Sequence, residues 1–230
     1  MNSSHNATES NVLIIGANGT IGSALVTEFE KTSSVTTLSR DDTDYQEESL
    51  AQFVKQLGAG TCFQQIVCCI GTLHDEVVRP EKSLKQVNSD FLEHYFYVNS
   101  ILPLLLVKHF SPLLDKTQAS CFACLSAMVG STSDNQLGGW YGYRASKAAL
   151  NSLLKTASIE LRRSNKQMAL IAIHPGTTVG ELSAPFAKNV KPEKYYTPAR
   201  SAQRIKIVMD SIQPEQTGGF FNWDGSVIPW

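Results

Sequence analysis

Four short apolar runs, at residues 12–15 (VLII), 64–70 (QQIVCCI), 119–125 (ASCFACL) and 169–173 (ALIAI), are separated by long stretches in which apolar residues recur at helical spacing. Runs this short are strands rather than helices, and continuous rather than alternating apolar character means that both strand faces are covered. Connections this long join parallel strands through a crossover helix. The pattern therefore predicts a doubly wound α/β fold, a mostly parallel sheet with helices on both faces. A chain of 230 residues buries one such core, and no Pro/Gly/Ser-rich linker or internal repeat divides it.

The segments between the runs can be placed in turn. After a glycine-rich turn, Ile21, Leu25 and Phe29 recur at four-residue steps and mark the buried stripe of a helix ending near Lys31. Residues 35–39 follow as a strand. A polar acidic loop then leads to a helix over 47–57, with Leu50, Phe53, Val54 and Leu57 at core spacing. Residues 90–114 are expected to form a long apolar helix interrupted at Pro103. From Tyr143 onward Leu150, Leu153, Leu154, Ala157 and Leu161 form another stripe, and the closing GGFFNWDGSVIPW reads as a turn, an aromatic strand and an extension.

Charge and cysteine usage exclude several functions. Twenty basic against 21 acidic residues give no positive field for a nucleic-acid backbone. There is no run of 18 apolar residues, and residues 1–10 are polar where an export signal needs an apolar core. A cytoplasmic protein without a membrane partner is expected, with a disordered tail over 1–10 and one catalytic domain over 11–230. The sequons at Asn2 and Asn6 then have no role. Five cysteines lie mostly inside apolar runs and read as reduced core residues. Cys121 and Cys124 point to opposite faces of a strand, whereas a redox pair needs a loop running into a helix. The scattered histidines supply no second ligand pair, so no metal site is expected.

Two motifs carry chemistry. Gly16-Ala17-Asn18-Gly19-Thr20-Ile21-Gly22 joins the first strand to the first helix. Glycines there let the backbone approach a pyrophosphate, whose charge meets the free N–H groups and positive dipole of the helix start. In Tyr143-Arg144-Ala145-Ser146-Lys147, positions i and i+4 share one helical face. The Lys147 ammonium can then favour the ionised Tyr143 phenol and bring it toward proton exchange with a carbonyl or alcohol. Tyr141 gains no such partner, because Ala145 stands four residues on.

These motifs, with Asn99 in YVNSILPLLL, Ser126 in CLSAMVGS and His174-Pro175-Gly176-Thr177-Thr178 after the last run, resemble in order those of the short-chain dehydrogenase/reductase family. The resemblance spans essentially the whole chain. GGWYGYRASKAALN and GGFFNWDGSVIPW look like the branch that includes the cell-signalling C-factor proteins. The resemblance implies a Rossmann-type sheet and hydride transfer between NADPH and a carbonyl or alcohol. It implies Tyr143 as acid-base, Lys147 on the nicotinamide ribose, Ser126 polarising the substrate oxygen and Asn99 holding a relay water. Gly16, Asn18, Gly19, Thr20, Ile21, Gly22, Gly71, Pro175, Gly176 and Thr178 are the implied cofactor contacts, beside Tyr143 and Lys147 themselves.

Three departures accompany it. Ile15 replaces the usual Thr, the middle glycine is shifted to Gly19, and Cys68-Cys69-Ile70-Gly71 replaces Asn-Asn-Ala-Gly, removing amides that brace that strand. The family serine stands three residues before a glycine; counted from Gly130 this is Ala127, with Ser126 one place earlier and Ser131 just beyond. Ser126, at the strand end, is the expected catalytic serine, with Ser131 or no serine as alternatives. At the end of the second strand an acidic residue would select NAD and an Arg would accept the NADP phosphate. Ser39-Arg40 favours NADP over NAD, although Asp41 and Asp42 follow directly and a one-residue shift would reverse the choice. Asp44 is a candidate for the adenine edge, in a loop short enough to stunt the third strand.

His74 is expected to be solvated and His174 to pack at its strand end. Residues 177–198, with Phe186, Tyr195 and Tyr196, read as a mobile lid for an apolar or aromatic carbonyl. A dinucleotide-sensing signalling protein with little turnover is the alternative function. The apolar surface of 90–114 predicts at least a homodimer, paired through this helix and the one at Tyr143. Phe220, Phe221, Trp223 and Trp230 in the tail would cap the cleft or build a tetramer.

Overall fold

The structure, a computed structural model, describes residues 10–230. The expected polar tail and its sequons lie outside these residues, except Ser10, which opens the first strand. In chain order the elements are β1 (Ser10–Ile15), α1 (Thr20–Phe29), β2 (Ser33–Leu38), α2 (Glu47–Gln56), β3 (Gln65–Cys68), α3 (Ser89–Phe96), a π-helical turn (Tyr97–Ile101) and α4 (Leu102–Phe110). They continue with β4 (Ser120–Leu125), α5 (Tyr141–Leu161), β5 (Met168–His174), β6 (Thr177–Thr178), β7 (Tyr195–Tyr196), α6 (Pro198–Ser211) and β8 (Phe220–Asn222). Six strands form one sheet in the order β2-β1-β3-β4-β5-β8, every pair parallel.

Alternate residues of each strand feed two cores, which is why the strands read as continuous apolar runs. Val12 and Ile14 of β1 face α1 and α6 beside Leu25, Phe29, Ile205 and Met209. Leu13 and Ile15 face the other layer, among Leu50 of α2, Leu106 of α4 and Leu150 of α5. Cys121 lies in the first core and Cys124 in the second, as a strand demands.

One expectation needs correction. Pro103 does not interrupt the helix over 90–114; α3 and α4 run on through the π turn, in which the Leu102 N–H bonds the Tyr97 carbonyl five residues back. A proline ring crowds the carbonyl four residues earlier, here that of Asn99, and a wider turn makes room for it. The segment 177–198 carries structure of its own. Tyr195–Tyr196 folds back and pairs with Thr177–Thr178, with short 3-10 turns between. The anticipated stunting of a third strand is complete among the described residues: β2 is a sheet edge, and the chain passes from it directly into α2.

The aromatic tail packs on its own chain. Phe220 and Phe221 are buried in the two cores, and Trp230 stacks on Phe220 at 5.9 Å between ring centroids. The Trp230 carbonyl accepts the Ser133 N–H at 3.1 Å.

Phe122, fully buried in central strand β4, gives a direct test of this layering. Phe122→Ala should lower unfolding free energy by about 3–5 kcal/mol in urea titration; a loss below about 1 kcal/mol would mean that β4 does not anchor the core.

Candidate active site

The sheet order sets the location. From β1 the chain first moves outward to β2, then returns past β1 to β3 and on to β4 and β5. The crossovers diverge between β1 and β3, and a crevice opens there at the carboxyl ends of the strands.

One wall is the glycine turn. Gly16 has φ +83°, open to glycine at little cost, and its N–H bonds Leu38 O at the end of β2, 2.7 Å away. A Cβ on Gly22 would lie 2.1 Å from the Gly16 carbonyl oxygen, so helix and turn touch backbone to backbone. Gly19 is the N-cap of α1 and no side chain caps the helix, which leaves the N–H groups of Thr20, Ile21 and Gly22 for a ligand. On the far side a Cβ on Gly180 would come within 2.8 Å of the Thr20 hydroxyl, so the segment after β6 closes over the helix start. Backbone clearance plus free N–H donors fit the pyrophosphate of a dinucleotide.

The other wall is α5. Tyr143 and Lys147 lie on its inward face, 7% and 3% exposed. Lys147 Nζ donates to Leu125 O at the end of β4 (3.0 Å), and a Cβ on Gly71 would stand 3.0 Å from that nitrogen. Burial lowers the Lys147 pKa to about 8, a cost that the neighbouring thiols Cys68 and Cys124 offset in part. The Tyr143 phenol is pushed up by burial. The expected lowering by Lys147 is absent, because desolvation dominates and the ammonium is turned to the β4 carbonyl. The one side-chain hydrogen bond recorded at Tyr143 among the described residues is from Ser146 Oγ to its backbone carbonyl, which leaves the phenol oxygen without a protein partner.

Asn99, fully buried in the π turn, accepts from Thr72 N (2.8 Å) and donates to Thr72 O (2.9 Å) and Ser146 Oγ (3.1 Å). Its amide is thus used to fix the loop after Gly71 and the start of α5, rather than left free for a water.

The serine expectation is corrected. Ser126 Oγ donates to Asn151 Oδ1 at 2.7 Å, one helical turn beyond Lys147, and so bonds α5 instead of facing Tyr143. Ser131 Oγ accepts from Asp134 N at 3.2 Å and closes a local turn. Ala127 is the residue that joins Tyr143, Tyr95, Leu73 and Val78 in one buried cluster. Alternation carried past Leu125 keeps Ser126 on the α5 face with Cys124, and it is the departure of the chain from the strand, into the 3-10 turn at Met128–Gly130, that brings residue 127 into the Tyr143 cluster.

At the end of β2, Ser39 is buried and Arg40 exposed. Asp42 accepts from Ser39 N (2.8 Å) and Ser39 Oγ (2.9 Å), and Asn18 donates to Asp41 at 2.6 Å. Asp44 is fully exposed and accepts from Gln46 N at 2.9 Å. It closes the turn into α2 and lines, with Arg40, Asp41 and Asp42, the depression beyond the end of β2.

Past β5, Gly176 has φ +78° and Thr178 Oγ1 lies 2.7 Å from Ser201 Oγ of α6. Pro175 is half-buried before them. His174 is held neutral by burial, its pKa lowered to about 4. The segment 177–198 meets the crevice at Phe186, 4.9 Å from the Trp140 ring and 6.0 Å from His74. Trp140 lies 6.1 Å from Tyr143. His74, expected in solvent, is half-buried, with Nε2 3.0 Å from Glu181 O of that segment. Arg204 of α6 sits between Tyr196 (4.1 Å) and Trp223 (3.7 Å), pinning the segment's end to the tail. Nothing in the sequence marks Trp140, Tyr95 and Arg204 as site residues, because contacts of this kind leave no periodic signal. No group of three or more metal-ligating side chains converges among the described residues, and none of their helices is long and apolar enough to cross a membrane.

No protein-family model matches the chain. An uncharacterized oxidoreductase of Schizosaccharomyces pombe is 32% identical over 146 residues, a match spanning 59% of this chain and only 57% of that protein. The C-signal protein of Myxococcus xanthus is 30% identical over 135 residues, 59% of this chain and 76% of the relative. A short chain dehydrogenase of Penicillium aethiopicum, gsfK, is 28% identical over 95% of this chain and 98% of its own length. Among solved structures, the NADPH-bound carbonyl reductase from chicken fatty liver shares the fold at a TM-score of 0.81, with 20% identity, 96% of this chain and 99% of that one covered. With these relatives, the shared fold, the glycine turn and the Tyr143/Lys147 pair, the chain belongs to the short-chain dehydrogenase/reductase family of oxidoreductases.

Proposed function

We propose that the protein reduces a carbonyl group, or oxidises the matching alcohol, with NADP as hydride carrier and Tyr143 as proton donor or acceptor. The observation that carries this reading is the Tyr143 phenol. Its ring is buried, its oxygen takes no hydrogen bond from the described residues, and it stands one helical turn from an ammonium, in a crevice walled by the glycine turn. A phenol so placed keeps its proton for a ligand.

The turn residues Gly16, Asn18, Gly19, Thr20, Ile21 and Gly22 would hold the pyrophosphate, with Gly71, Pro175, Gly176 and Thr178 toward the nicotinamide. Bound there, the cofactor supplies or accepts the hydride. Tyr143 passes its proton to the carbonyl oxygen as negative charge develops on it. Lys147, with its pKa near 8, is charged at neutral pH; on turning from Leu125 O toward the nicotinamide ribose, its ammonium would stabilise the phenolate left behind. Asn99 positions the loop after Gly71 and the start of α5 through Thr72 and Ser146.

NADP is favoured over NAD because the two carboxylates that could bind a ribose hydroxyl are already engaged, Asp42 by Ser39 and Asp41 by Asn18. Arg40 beside them is exposed and in no ion pair among the described residues. The Trp140/Phe186 wall favours a flat, apolar carbonyl substrate. Exposed Tyr97 and Ile101 at the π turn and Ile159 on α5 support pairing of two copies through these helices. Five free thiols fit the reducing cytoplasm.

Tyr143→Phe should abolish NADPH oxidation across a panel of ketones, aldehydes and quinones while leaving NADPH binding intact by fluorescence titration; turnover equal to the parent's would remove Tyr143 from the chemistry. Arg40→Ala should weaken NADPH about tenfold or more and NADH hardly at all. Equal losses for both would refute the phosphate role. Ala127→Ser should restore a second donor to the substrate oxygen and raise kcat on simple ketones about tenfold. An unchanged kcat would place residue 127 out of reach of that oxygen.

A further inference from the structure

Helix α5 begins in an unusual way. Gly138, Gly139 and Trp140 have φ of +64°, +67° and +55° in succession, and Trp140 is the N-cap of the helix that carries Tyr143. A bulky L-residue seldom adopts the left-handed region, so something must hold it there. The helix supplies nothing of its own: no side chain caps it, and its first turn holds no acidic residue.

Glu81 supplies both missing contacts from the loop that follows β3. It is 2% exposed. Its backbone carbonyl accepts the Trp140 N–H at 2.5 Å, and its carboxylate oxygens stand 3.2 and 3.3 Å from the Gly142 N–H. No cation pairs with this buried carboxylate among the described residues, so the helix start is its compensating partner. The fit leaves no slack, since a Cβ on Gly142 would lie 3.0 Å from Glu81 Oε1 and 2.4 Å from the ring of Tyr95. Tyr95 in turn meets Tyr143 edge-on at 6.2 Å.

We propose that Glu81 is a positioning residue for the reaction: it clips the strained Trp140 turn in place and thereby fixes where α5 starts and where the Tyr143 phenol points. It touches no reacting atom itself. Without the clip, Trp140 relaxes toward ordinary backbone angles, and both the Trp140 ring and the phenol shift within the crevice. The proposal rests on the carbonyl-reductase reading above.

The test uses Glu81→Gln, which keeps an acceptor oxygen at full reach, and Glu81→Asp, which keeps the charge but is one methylene too short. Glu81→Gln should hold kcat within about threefold of the parent. Glu81→Asp should lose about tenfold to a hundredfold in kcat, the cost of a small misplacement, with KM and the NADPH dissociation constant unchanged. Amide hydrogen exchange at Gly142, whose N–H the carboxylate holds, gives a readout independent of turnover, slow in the parent and Glu81→Gln and fast in Glu81→Asp. Parent-like kcat in Glu81→Asp, or loss of kcat, KM and cofactor affinity together, would overturn the positioning role; so would a Glu81→Gln variant as impaired as Glu81→Asp. A parent protein that turns over no carbonyl would instead sink the functional reading, and the exchange rates would still decide whether the clip exists.

Discussion

Asn99 is where three parts of the molecule are made to agree. Its single amide holds both backbone groups of Thr72 and the hydroxyl of Ser146, joining the loop after β3, the π turn and the first turns of α5. All of this is buried, so each polar group left without its partner would carry the full cost of desolvation. The loop, the turn and the helix cannot shift independently. Ser100 reinforces the joint by donating to Ser146 O at 2.7 Å. The burial of Lys147 depends on this frame, because the ammonium sits where the Gly71 loop and the end of β4 come together.

The π turn is what allows Asn99 to serve in this way. An uninterrupted α-helix would clash with Pro103 at the carbonyl four residues earlier, that of Asn99 itself. Widening the turn removes the clash and locally rotates the helix, so that a polar residue within an apolar helix faces the buried loop. The sequence shows the proline plainly, but a proline inside a helical pattern allows a break, a kink or a π turn, and only packing decides among them.

Other features divide along the same line. The strands and the two faces of the sheet were legible in the runs VLII, QQIVCCI, ASCFACL and ALIAI, since burial on both sides writes itself directly into composition. The glycine turn and the Tyr143/Lys147 spacing were legible because backbone clearance and helical phase are local properties. The role of Ser126 was not. Whether residue 126 or 127 faces the crevice depends on the path of the chain after β4, where the 3-10 turn at Met128–Gly130 overrides the strand's alternation. Glu81 was hidden for another reason: it lies in an irregular loop 61 residues from the amide it holds, and nothing in its own neighbourhood marks it as buried.

The sheet that ends at β2 leaves one side of the crevice without a strand to wall it. Where a further strand would lend apolar contacts, there is a solvent-facing turn of Arg40, Asp41 and Asp42 around a depression of about 380 Å³ that Ser49 and Gln52 of α2 also line. Recognition at that end must then come from charge more than from packing. Charges in open water interact only within a Debye length, about 8 Å at physiological ionic strength. The two ends of the crevice thus answer to different variables: the enclosed Tyr143 end to desolvation, and the open end to the salt concentration of the medium.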